Sequence, residues 1–112
     1  MLLEEKKLLL DIQVAVNSIN EYLGESRDFN AFQKRKMLRR AVERELEIIG
    51  EATNKLLKLN PDISISEARR IVNLRNWVIH AYDSVDYMVI WGIVNKDIPL
   101  LKSQVDKLLV NM

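Results

Sequence analysis

The chain contains no cysteine, which excludes a disulfide scaffold and a thiolate metal site. That absence suits a cytoplasmic protein. Glycine and proline are scarce, with three and two in 112 residues, and so little punctuation favours long helices over many short strands. Neither sign of charge dominates. The formal net charge is +1, so overall charge does not mark a nucleic-acid binder, and any such case must rest on local clusters. No stretch approaches the roughly 18 consecutive apolar residues of a membrane span. At the start of the chain, acids follow immediately in Met1-Leu2-Leu3-Glu4-Glu5, with no small-residue cleavage site, so no signal peptide is expected. Repeats, low-complexity segments and linkers are also missing. Alternation of strand length is confined to Asp62-Ile63-Ser64-Ile65, too short to outweigh the rest.

What is present is a hydrophobic fraction of 48% and a charged fraction of 29%. These suit one domain over residues 1–112 with a core and a solvated surface. Four helical segments are predicted. The first runs from about Leu2 to Leu23, where Leu9, Ile12, Val16, Ile19 and Leu23 make one apolar stripe, and Gly24 is its stop. Asp28 can cap a short lead-in helix. A main second helix spans about Phe32 to Leu59, with Leu38, Val42, Ile49, Ala52, Leu56 and Leu59 as its stripe and Glu45 as a polar break. The third begins near Ser64 or Ser66 and reaches about Tyr82. The fourth carries Tyr87, Ile90, Val94, Ile98, Leu101, Val105 and Leu108 at helical spacing. Pro99 should kink it or start a new helix. The architecture expected is an all-α antiparallel four-helix bundle with a kinked last helix. Trp91, Tyr22 and Tyr87 are read as core packing.

The third helix is apolar nearly all round. Ile71, Leu74, Val78 and Ala81 form one stripe, and Val72, Ile79 and Trp77 widen it. What remains is a narrow polar wedge of Asn73, Asn76 and His80. Polar groups on a mostly buried helix need partners. Asn76 and His80 are four apart and share a face. Arg75 lies about 140° from His80 on an ideal helix. The spacing alone also fits a hydrogen-bonded core histidine and an arginine paired with Glu47 or Glu51.

The run Arg75-Asn76-Trp77-Val78-Ile79-His80-Ala81-Tyr82 resembles the R-polar-x(3)-H signature of HEPN domains, in the R-x(4)-H-x-Y form of the HepT group. The segment from Ala41 to Ala52 and the tail around Val85-Asp86, Trp91 and Asp97-Ile98-Pro99-Leu100-Leu101 resemble the same group, in the same order along the chain. The resemblance implies a HEPN-like bundle with metal-independent endoribonuclease activity, usually the toxin of a two-gene toxin–antitoxin pair. It implies a minimal nucleotidyltransferase partner, MntA, that silences the toxin by transferring AMP units to the motif tyrosine, here Tyr82.

RNA brings its own nucleophile, the 2′-hydroxyl, so side chains alone can supply the rest. His80 suits both proton roles, Arg75 can hold phosphate charge bidentately, and Asn76 can orient His80 or the phosphate. His80 is the only histidine. Separate acid and base histidines would therefore need two chains, as would bringing Arg75 and His80 onto one phosphate without a long arginine reach. A composite site at a homodimer interface is expected, with a single histidine alternating between the two roles as the alternative. No metal or other cofactor is expected: a second histidine is missing, the Glu-x-x-His element of di-iron bundles is absent because position 77 is Trp, and Glu47 and Glu51 more readily pair with Arg44, Arg75 or a neighbour.

Tyr82 at the exit of the third helix could be reached by a modifying enzyme, and an added AMP would place bulk and negative charge beside the site. An aromatic cap on the core fits the same position. Lys34, Arg35, Lys36, Arg39, Arg40 and Arg44 form a cationic run that opposes the dipole of the second helix, with Arg69 and Arg70 adding charge at the start of the third. RNA phosphate contact and an ordinary solvated face are both open for it. The competing function is a non-catalytic helical module that dimerises and binds a nucleotidyltransferase partner or a nucleotide.

Overall fold

The computed structural model describes the backbone of residues 2–25, 27–79 and 84–111, and the side chains of these apart from residues 74–79 and 84–86. Five helices occur among the described residues: α1 (Leu3–Leu23), α2 (Phe29–Lys34), α3 (Lys36–Leu59), α4 (Ala68–Ile79) and α5 (Ser84–Val110). No strand occurs among them, so the all-α expectation holds.

In α1, the expected stripe is the buried one: Leu9, Ile12, Val16 and Ile19 are all enclosed. Glu4 and Glu5 sit in its first turn, where carboxylates complement the positive end of the helix dipole. Gly24 ends the helix at φ 68°, ψ −165°, a conformation open essentially to glycine alone. Its N–H donates to the Asn20 carbonyl at 3.0 Å.

Asp28 caps α2 as expected, its carboxylate accepting from the Asn30 N–H at 3.0 Å. The main helix starts later than the sequence suggested. Arg35 is extended, at φ −92° and ψ 97°, and Phe32 belongs to α2. Phe32 is fully buried, with its ring 5.0 Å from that of Trp91 on α5, while α3 packs chiefly along α1 and α4. One straight helix does not serve both directions, so the chain turns at Arg35. Along α3, Val42, Ile49, Ala52 and Leu56 are buried as read, joined by Leu46.

The third long helix also starts later, at Ala68 rather than at Ser64 or Ser66. Ile63 and Ile65 are buried with Ser64 exposed between them, so the short alternation acts as a core-facing strap. Glu67 then adopts φ 58°, an uncommon left-handed conformation for a non-glycine residue. Its carbonyl accepts the Ile71 N–H at 3.0 Å, the first bond of α4.

In α5, Ile90, Val94, Ile98, Leu101 and Val105 are buried, the stripe read from the sequence. The helix continues through Pro99, so no new helix begins there. Tyr22 departs from the reading. It is 41% exposed, with its hydroxyl donating to Glu45 at 2.8 Å. Tyr87 and Trp91 are half-buried against the core.

Contacts between helices set their directions. Tyr22 near the end of α1 reaches Glu45 early in α3. Gln13 and Asp106 bond across α1 and α5, and Arg27, just after α1, links Asn20 to Asn95. Arg70 early in α4 meets Asp97 midway along α5, and Ser66, just before α4, accepts from Gln104 further along α5. Each of these neighbouring pairs therefore runs antiparallel, as the short connections require.

Candidate functional site

α4 is rotated by its apolar residues. Ala68 and Ile71 are buried, while Arg69, Arg70 and Asn73 are exposed. Arg75 and Asn76 lie within the helical span of α4, with their side chains outside the described residues. His80 and Tyr82 lie outside the described residues altogether. Asn73, the first member of the polar wedge, is solvent-facing.

The cationic run divides into two sets. Arg39 is engaged twice, with its guanidinium 4.6 Å from the centre of the Tyr87 ring and an N–H donated to the Gln33 carbonyl. Arg40 pairs with Glu43 at 3.4 Å and Arg44 with Glu47 at 3.2 Å. Lys34, Arg35 and Lys36 are exposed and have no charged partner among the described residues. The Arg39–Tyr87 contact sets the start of α3 beside the start of α5. Since α4 runs antiparallel to both, its C-terminal end, which carries Arg75 and Asn76, lies at the same end of the bundle as these cations.

Glu43 is buried in this region, and burial raises its carboxyl above the usual range, partly offset by Arg40 and Arg39. That sign follows from desolvation disfavouring the charged form.

Between α4 and α5 lies an open cleft of about 520 Å3, with Arg70 and Asn73 on one side and Met88, Gly92 and Lys96 on the other. Arg70 is fixed there by Asp97, Nη2 to Oδ2 at 3.4 Å. The Oδ2 atom is otherwise buried without a hydrogen bond, so the contact is an ion pair whose geometry falls short of a good hydrogen bond. Sequence reasoning placed Arg70 in a basic helix start and named Asp97 only within the resembling tail, and it missed their pairing, Lys96 and the cleft. The available signal was Gly92, a glycine inside an otherwise well-patterned helix.

Among the described residues, no group of three or more His, Cys, Asp or Glu is placed to hold a metal ion. None of the helices among them is long and apolar enough to cross a membrane. The arrangement offers cations for a polyanion at one bundle end, beside the helix that carries Arg75 and Asn76.

Comparison with known proteins gives a consistent result. The family described as "Ribonuclease HepT-like" matches residues 12–108. A Methanocaldococcus jannaschii protein named "Putative RNase" is 39% identical over 105 residues, covering 90% of this chain and 93% of that protein. A Thermococcus cleftensis protein named "Probable ribonuclease HepT" is 41% identical over 107 residues, covering 92% and 94% respectively. A further relative from Caldanaerobacter subterraneus, also named an RNase with the same qualifier as the first, is 40% identical over 82 residues, covering 72% of this chain and 73% of its own. No solved structure matches the chain.

Proposed function

The chain belongs to the HepT-like ribonuclease family, and from that premise we propose that it is a metal-independent endoribonuclease acting in the cytoplasm as the toxin of a toxin–antitoxin pair. The observation that carries this reading is the set Arg75, Asn76, His80 and Tyr82, on and just beyond α4 and inside the span matched by the family. Basic residues at the same end of the bundle support it.

The chemistry follows from the residue types. The His80 imidazole takes the proton of a ribose 2′-hydroxyl, whose oxygen attacks the adjacent phosphorus. The bond from phosphorus to the 5′-oxygen breaks, and that oxygen receives a proton from an imidazolium. The products are a 2′,3′-cyclic phosphate and a free 5′-hydroxyl. Arg75 holds the charge that grows on the phosphate oxygens, and Asn76 orients His80 or the phosphate. Base and acid are needed at once on opposite sides of phosphorus. With one histidine per chain, the site is composite, built from two facing copies of α4 in a two-fold homodimer. Tyr82 is the off-switch: an MntA-like nucleotidyltransferase partner attaches AMP there, and the added phosphate repels RNA.

Subunit mixing tests the composite site. Unaltered protein is mixed with His80→Ala at constant total concentration, allowed to exchange, and assayed for RNA cleavage. A site needing both histidines gives a rate that falls with the square of the unaltered fraction. A linear fall means that each chain works alone. Co-expression with the partner tests the switch: a mass gain of AMP units on the unaltered protein with loss of cleavage is expected, and neither on Tyr82→Phe. AMP found elsewhere on an inhibited Tyr82→Phe protein removes Tyr82 from this role.

A further inference from the structure

Nothing among the described residues requires glycine at position 92. Gly92 sits in the middle of α5, where glycine costs a helix about 1 kcal/mol relative to alanine. Its backbone does not demand glycine, since it is absent from the positive-φ positions. Space does not demand it either: a Cβ built there meets nothing within 4 Å. A bare stretch of helix that the fold does not need leaves room for something outside the chain to approach the backbone.

The surroundings say what that is. Gly92 floors the cleft between α4 and α5, with Arg70 and Lys96 on its rim, Asn73 beside them, and Met88 and Val89 giving an apolar surface. Lys96 has no charged partner among the described residues. Arg70 is paired with Asp97 at 3.4 Å, which lowers the entropy lost when it grips an anion. Among the described residues no carboxylate lines the cleft. A group carrying negative charge and a flat apolar face fits this mixture, and a nucleotide has both. A two-fold axis through the cleft itself would set Arg70 and Lys96 against themselves, so the two facing α4 helices proposed above meet further along α4, around Arg75 and His80, and leave the cleft open.

We propose that the α4–α5 cleft is a second RNA subsite, in which Arg70 and Lys96 bind a backbone phosphate and the base lies over Met88 and Val89 against the bare backbone of Gly92. This rests on the ribonuclease reading for its placement: Asn73 in the cleft belongs to the same polar wedge as Asn76, about 4.5 Å of helix rise away, so the bound nucleotide flanks the one being cut. The subsite would set how much single strand the enzyme engages on one side of the scissile bond.

The probe is a fluorescein-labelled single-stranded 2′-O-methyl oligouridylate, which lacks the attacking hydroxyl and reports binding alone. Gly92→Leu fills the cleft with a better helix former, and Lys96→Gln removes one cation. Fluorescence anisotropy is expected to show binding weakened about tenfold by Gly92→Leu. Lys96→Gln should lose several-fold in affinity, with the salt slope reduced by about 0.7. Light scattering should show the same mass for all three proteins. Unchanged affinity in Gly92→Leu overturns the subsite, as does failure of the unaltered protein to bind. A changed mass in Gly92→Leu assigns the cleft to a second copy instead. If the unaltered protein cleaves RNA but both variants bind normally, the cleft fails and the ribonuclease stands. If both variants weaken binding in a protein that never cleaves, the reverse holds.

Discussion

Gly24 and Gly92 offer a matched pair of substitutions with opposite expected signs. A Cβ at either position meets nothing within 4 Å, so crowding cannot distinguish them and only the backbone can. Gly92→Ala lies in an ordinary helix interior. It gains helix propensity and restricts the unfolded chain, together stabilising by about 0.5–1 kcal/mol. For a domain of this size that raises Tm by roughly 3–6 °C. Gly24→Ala forces an L side chain to φ 68°, ψ −165°, a region that costs of order 1–3 kcal/mol. A gain of about 0.5 kcal/mol from the unfolded state offsets part of this. A net loss of about 0.5–2.5 kcal/mol remains, lowering Tm by roughly 3–15 °C on the same scale. Thermal melts followed by circular dichroism, with urea midpoints at constant m, read both changes. A Gly92→Ala protein that is less stable than the unaltered one would refute the reasoning, because the added methyl would then be meeting something the single chain does not contain.

Further substitutions test other links. Phe32→Ala should cost about 3–5 kcal/mol, since Phe32 is fully buried against Trp91, and a urea midpoint shifted by much less would mean α2 is not a core element. Glu43 has its carboxyl raised mainly by burial, so its contribution to stability is complete below the unfolded carboxylate pKa and is lost as pH rises through the folded value. Glu43→Gln should therefore gain in melting temperature relative to the unaltered protein between acid and neutral pH, and a constant difference would contradict the sign. Replacing Lys34, Arg35 and Lys36 together by Gln should leave the melt unchanged and reduce the salt slope of single-stranded RNA binding by about 2. An unchanged slope makes those three an ordinary solvated face.

Much of the bundle was legible because helix periodicity is a local signal and burial follows it. Leu9, Ile12, Val16 and Ile19 in α1 and Ile90, Val94, Ile98 and Leu101 in α5 were read from spacing and are enclosed. Asp28 was legible because a cap acts two residues away. The break at Arg35 was not, because neither Gly nor Pro marks it and its cause lies in Trp91, far along the chain. The start of α4 was missed for a related reason: Ser64 and Ser66 look like caps, but burial of Ile63 and Ile65 draws that stretch into the core first. Tyr22 was misplaced because an aromatic on a helix reads as core, whereas its hydroxyl is bonded to Glu45 on an exposed face. The motif of Arg75, Asn76, His80 and Tyr82 was legible as a pattern of residue types. The cleft between α4 and α5 was not, since Arg70, Asp97 and Lys96 are joined only by the packing of α4 on α5.

The most direct measurement is cleavage of a defined single-stranded RNA by purified protein lacking AMP on Tyr82, in excess chelator, beside Arg75→Ala and His80→Ala. The expected result is cleavage by the unaltered protein to 2′,3′-cyclic phosphate and 5′-hydroxyl ends, with each variant slowed by at least about a hundredfold while keeping its helical signal. Equal cleavage by all three proteins, or cleavage that stops with the chelator, would contradict it.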